Sequence, residues 1–155
     1  MRLSKNFVLS EITRSNTAKR LNISNAPNKE HLRSMQILIR DLIQPMRNDL
    51  GPIRITSGYR SPALNRAIGG SSKSQHCKGE ALDIQFWKDG KMCNKKIYDW
   101  VLKEGIEFDQ MINEFDFSWI HISFKSGNNR KQVLEALHDE DGDTKYKYAD
   151  TSCSI

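Results

Sequence analysis

The clearest helical period in the chain lies in KEHLRSMQILIRDLIQPMRNDLG, residues 29–51. There Leu32, Met35, Leu38, Ile39, Leu42, Ile43 and Met46 share one face of a 3.6-residue repeat, which predicts an amphipathic helix. Asn28 stands where a cap belongs, Pro45 should kink the helix or divide its last turns, and Gly51 should end it. Upstream, LSEITRSNTAKRLN (9–22) reads as a short helix capped by Ser10 and followed by a second turn, and NISNAPNKEH (22–31) as a loop. The period then changes to two. PIRITSGY (52–59), EALDIQF (80–86), FDQMINEF (108–115) and SWIHISF (118–124) read as strands, the last two joined by a tight turn. RSPALNRAIGGSSKSQH (60–76) is small and polar and reads as a long loop of the kind that carries function. CNKKIYDWVLKE (93–104) is a further helix, and ALHDEDGDTKYKYADTSCSI (136–155) a loosely held polar tail. The sum is an α+β fold, with N-terminal helices packed on a small antiparallel sheet. No internal repeat is found.

Length adds that 155 residues suit one domain, placed at 1–138, with 139–155 as an acidic tail. The net charge of +5 is uneven: the tail is acidic, so the first 138 residues carry +8. A basic body favours an anionic partner such as nucleic acid, an acidic membrane or a carboxylate-rich wall polymer, and charge alone does not choose. Cys77, Cys93 and Cys153 are odd in number and show no C-x-x-C spacing, which argues against a disulfide framework or a cysteine zinc site. The N-terminus MRLSKNFVLSEI lacks a continuous apolar stretch, and nothing approaches the length of a membrane span. The expectation is synthesis in a cytoplasm without a signal peptide, and no membrane insertion. DEDGD lacks the spacing of a calcium loop.

Strand alternation brings out candidate chemistry. Leu82, Ile84 and Phe86 share one face, and Ala81, Asp83 and Gln85 the other; Ile120, Ile122 and Phe124 oppose Trp119, His121 and Ser123. Each strand thus offers a core face and a second face with one good ligand. An aspartate among apolar strand residues needs a metal, an arginine or solvent to compensate it. His76 precedes the first of these strands on a loop that Gly79 lets turn sharply. Two imidazoles and a carboxylate with a fourth position open form a common catalytic zinc arrangement, suited to activating water and polarising a carbonyl. Cys77 is a further possible ligand, although its place beside His76 suits packing better. The bland alternative is a loop histidine hydrogen-bonded to a strand aspartate.

Three motifs in order lift the zinc reading. SGYRSPALN (57–65) resembles the first signature of the zinc D-alanyl-D-alanine carboxypeptidase and endopeptidase family, relatives of the hedgehog signalling domain. SQHCKGEALDI (74–84) is similar to its S-x-H-x-x-G-x-A-x-D motif, and WIHIS (119–123) to its final tryptophan–histidine strand. The resemblance runs from residue 6 to about 130, and NFVLSEITRSNTAKRLNI (6–23) resembles the small phage and prophage branch. It implies a hedgehog/DD-peptidase-like fold and one zinc ion per chain, held by His76, Asp83 and His121. It also implies that Arg60 hydrogen-bonds the substrate carbonyl and its oxyanion, as suits a permanently charged fork of donors. Ser74 and Tyr59 would line the substrate groove, or else be a turn residue and a packed aromatic.

The general base stays open. Many members carry glutamate three residues before the last histidine, where this chain has Ser118. The available carboxylates are Glu114, at a strand end with reach, and Asp116, in a position where another branch carries a catalytic histidine; a turn role is the ordinary use of the latter. Glu114 is preferred. The function implied is hydrolysis of stem-peptide or cross-bridge amides in peptidoglycan by a monomeric phage or prophage lysis enzyme of the endolysin kind. It would reach the wall after holin-type release or as a virion component. A binding module that kept the zinc and fold but lost catalysis is the alternative, and nucleic-acid binding, with no basic stripe interleaved with aromatics, ranks last.

Overall fold

The computed structural model describes residues 1–151, so Cys153 lies outside the described residues. The chain opens with α1 (Leu9–Thr13) and α2 (Asn16–Leu21). Val8, not Ser10, is the cap of α1: the Glu11 carboxylate accepts from the Val8 backbone N–H at 2.8 Å. α3 (Lys29–Leu38) begins where Asn28 Oδ1 accepts from His31 N at 2.7 Å. Pro45 cannot donate to the carbonyl one turn back, and its ring would strike it. The helix meets this by widening into a π-helical segment, Ile39–Ile43, before α4 (Gln44–Leu50). Leu38, Ile39, Leu42, Ile43 and Met46 are wholly buried along this rod, and Gly51 ends it as expected.

The sheet runs in the order β1 (Ile53–Ser57), β2 (Ala81–Lys88), β5 (Trp119–Ser123), β4 (Gln110–Glu114), β6 (Gln132–His138), β7 (Thr144–Tyr148), with β3 (Lys91–Met92) on the far end of β2. Its pairings are antiparallel except β4 with β6, which is parallel, so the sheet is mixed. Residues 144–148, expected in a loosely held tail, pair with β6 from Leu134↔Tyr148 to His138↔Thr144. Within residues 60–76 the chain is not one long loop: α5 (Pro62–Ala67) and a 3-10 turn at Gln75–Lys78 occupy it. Ser61 caps α5 through Leu64 N and Pro62 begins it, a start signal that the surrounding small residues obscure. α6 (Lys95–Glu104) closes the core with Ile97 and Val101.

The two sheet faces differ in kind. Leu82, Ile84, Met111, Ile120 and Ile122, none measurably exposed, pack against the helices. The opposite face carries Asp83 beside His121, His121 beside Ile112, and Glu114 beside both Trp119 and Ala136. Period-two alternation therefore commits one face to the core and leaves the other for chemistry.

Candidate metal centre and its cleft

His76 is placed by backbone features on either side of it. Ser74 Oγ accepts from His76 N at 3.3 Å at the start of the 3-10 turn, and Gly79, at φ +72°, closes it. A Cβ at Gly79 would lie 2.4 Å from the His31 carbonyl oxygen, so only glycine lets this turn dock on α3. The imidazole is buried, and its Nδ1 stands 2.7 Å from the Gly58 carbonyl oxygen. A carbonyl only accepts, so Nδ1 carries a hydrogen and Nε2 is the ring atom turned inward, 3.4 Å from Asp83 Oδ1. The Gly58 carbonyl is itself aimed by a bulge: Ile55 faces Ile84 and Ser57 faces Asp83, leaving Thr56 as the extra residue.

Asp83 and His121 are direct cross-strand partners, with His121 Nδ1 3.1 Å from Asp83 Oδ1. One donor atom from each of His76, Asp83 and His121 lies within 4.8 Å of the others. Burial opposes ionisation of Asp83, but hydrogen bonds and charge from His121 and His76 outweigh it and hold the carboxyl well below the usual carboxylate range. An ionised carboxylate between two imidazoles, one with its tautomer already fixed by a backbone carbonyl, fits zinc. Cys77 is not among these donors; burial pushes its thiol up, away from the thiolate form a metal needs.

The three donors open into a cleft of about 650 Å³. Glu114 lines it at the end of β4, 7% exposed. Burial raises its carboxyl to about 7, with the Asp83 charge adding and His121 opposing. Arg60 also borders the cleft, and its Nε is buried with no hydrogen-bond partner among the described residues. Such an unpaired donor costs about 1–3 kcal/mol. Ser74 lines the same cleft.

Two candidate residues lie elsewhere. Tyr59 does not line the cleft: it is 3% exposed in the core, its hydroxyl 3.0 Å from His31 Nδ1, and so is a packed aromatic. Asp116 is exposed at the apex of the β4–β5 turn, in left-handed conformation at φ +53°, and does not reach the cleft. Phe115, Asp116 and Phe117 are all left-handed, a run costing on the order of 1–2 kcal/mol per residue. Asn113 Oδ1 offsets this by accepting from Phe117 N, and buried Asn94 donates to the carbonyls of Phe117 and Ser118. Ser118, where many relatives of the motif carry glutamate, clips the turn through the Phe115 carbonyl at 2.7 Å.

Sequence reasoning missed the opposite wall. Gln110, Arg130, Leu134, Thr144 and Tyr146 all border the cleft, and the last two stand on the strand taken for a tail. Alternation in TKYKY was the available signal. Ala136 pairs with both Glu114 and Tyr146, so the tyrosine stands in the same cross-strand row as Glu114, two strands away. Burial and the charges of Glu114 and Asp83 raise the Tyr146 phenol, placing its hydroxyl in the field of the site.

A family model described as Peptidase M15 matches residues 5–123. No curated protein matches the chain.

Proposed function

The chain belongs to the peptidase M15 family, and on that premise we propose that it is a zinc-dependent peptidase of peptidoglycan stem peptides or cross-bridges. The observation that carries this is a buried carboxylate, Glu114, lining the same cleft as the His76–Asp83–His121 donor set. Burying a carboxyl is costly, and proton transfer during amide hydrolysis gives a buried acid in this cleft a use.

His76 through Nε2, Asp83 and His121 through Nδ1 would hold the ion. Zinc bound there supplies Lewis acidity, activating water and polarising the amide carbonyl. Glu114 takes the proton of the attacking water and returns it to the leaving amine. Arg60, which borders the cleft, donates to the carbonyl oxygen as negative charge develops there. Ser74 holds the His76 turn and faces the same cleft. The resemblance of residues 6–23 to small phage and prophage enzymes supports a lysis role on the wall.

The test is digestion of purified peptidoglycan with metal-replete protein, with chelator, and after zinc is restored, followed by mass spectrometry of the released fragments. Chelator-sensitive release of peptides with new amine termini is expected. Full zinc loading with intact wall would assign the chain to a binding role.

A further inference from the structure

Beyond the reacting centre, the cleft contains a cation that the hydrolytic scheme does not use. Arg130 borders it from the segment before β6, outside the residues matched by the family model. Its guanidinium is held in a fork: Nε donates to Asp109 Oδ1 at 3.1 Å and Nη2 to Asp109 Oδ2 at 2.8 Å, while its backbone N donates to Oδ1 at 3.0 Å. Asp109 is 1% exposed, yet the Arg130 side chain remains 48% exposed. Lys125 Nζ also lies 3.5 Å from Asp109, and Gln75 Nε2 links the Glu80 carboxylate to the cluster at 3.1 Å, so two cations face two anions. Gln75 Nε2 donates to Asp109 Oδ2 at 3.0 Å and Gln75 directly precedes His76, so the same carboxylate ties Arg130 to the turn that carries a metal ligand.

A buried aspartate that spends its two oxygens orienting a half-exposed arginine makes little sense as a surface ion pair, whose worth is small. It makes sense as preorganisation: the long side chain loses its freedom in the free protein, so a ligand does not have to order it on binding. The remaining guanidinium edge is a planar donor pair, the geometry that matches a carboxylate.

We propose that Arg130, positioned by Asp109, is a specificity-determining residue that binds a free substrate carboxylate at a fixed distance from the scissile amide. This rests on the peptidase reading above, and it places part of the substrate choice in chain lying beyond the family match. Stem peptides offer such groups at two places, the C-terminal carboxylate and the free carboxylate of the glutamyl residue.

The test uses zinc-loaded full-length protein and the synthetic stem peptide L-alanyl–D-γ-glutamyl–L-lysyl–D-alanyl–D-alanine in three forms: free acid, C-terminal amide, and glutamyl amide. Cleavage gives kcat/KM, and quenching of Trp119, which lines the cleft, gives binding. Wild type is expected to prefer the free acid over one of the two amides by about tenfold or more, the scale of one charge-assisted pair. The amide that loses identifies which carboxylate is read. In Arg130→Gln that preference falls to about one, and Arg130→Lys recovers part of it. Wild type showing no preference between acid and either amide, or Arg130→Gln retaining the preference, overturns the assignment. If wild type cleaves none of the three, the peptidase reading fails for these peptides, while the fluorescence comparison of acid and amides still decides the role of Arg130.

Discussion

Two carboxyls of the cleft are shifted in opposite senses: the imidazoles of His121 and His76 hold Asp83 low, whereas burial pushes up Glu114. Its carboxyl is raised from 4.5 to about 7, so in the metal-free protein its stabilising contribution is full below about pH 4.5 and lost as pH rises through about 7. At 1.36 kcal/mol per pH unit that loss reaches about 3 kcal/mol. Urea titrations in chelator should therefore show wild type weakening from pH 5 to pH 8, with Glu114→Gln flat across the same range. The same variant in zinc should keep the ion, by metal analysis, and lose about 10²–10⁴-fold in turnover, the usual worth of a positioned base. Normal turnover in Glu114→Gln would remove it from the mechanism. His121→Ala, by contrast, should lose zinc and activity together, and a fully loaded variant would contradict the donor set. Asp109 has the opposite sign to Glu114: burial would raise it, but hydrogen bonds from Arg130 and Gln75 hold it at about 2. Its contribution is present above about pH 4 and lost as pH falls through about 2. Asp109→Asn should be about 3 kcal/mol less stable at pH 7, and the gap should close in acid.

At the scale of elements, each ligand sits where a regular structure is interrupted or paired. The bulge at Thr56 aims the Gly58 carbonyl, which fixes the His76 tautomer, and the Asp83–His121 register fixes the other two donors. The left-handed β4–β5 turn ends β4 so that Glu114 is its last residue, and Asn94 braces that turn from the start of α6. Asn94 is 2% exposed and also accepts from Phe86 N. Asn94→Ala should thus cost about 2–3 kcal/mol through three lost bonds, although Gln85 Nε2 still donates to the Ser118 carbonyl. It should also lower kcat more than zinc affinity, read by kinetics beside metal titration. An equal fall in both would mean that the turn supports the sheet as a whole rather than Glu114.

Across the whole molecule, a helical layer covers one face of the sheet and leaves the other face as the floor of the cleft. The C-terminal hairpin β6–β7 raises its far wall. No helix among the described residues is long and apolar enough to cross a membrane. On the proposed wall substrate, the net charge of +5 would supply a long-range attraction to an anionic polymer. Raising salt from about 0.1 M to about 1 M shortens the screening length from about 10 Å to about 3 Å. Lysis of intact wall should then fall several-fold more than cleavage of a short soluble peptide. Equal salt sensitivity would show that body charge plays no part in recruitment.

Local pattern was enough for the helical rod from Lys29 to Leu50, the faces of β2 and β5, and the grouping of His76, Asp83 and His121 as candidate ligands, because periodicity and motif spacing are properties of neighbours in the chain. Folding alone decided that Tyr59 turns into the core, that Asp116 sits at an exposed apex, and that Thr144 and Tyr146 wall the cleft. It also decided the parallel β4–β6 pair and the Gly58 contact to His76. Those outcomes depend on which distant segments pair and on the burial that pairing imposes. A polar, alternating segment such as 144–148 carries no core signal of its own, so it becomes a strand only when an unsatisfied sheet edge is there to receive it.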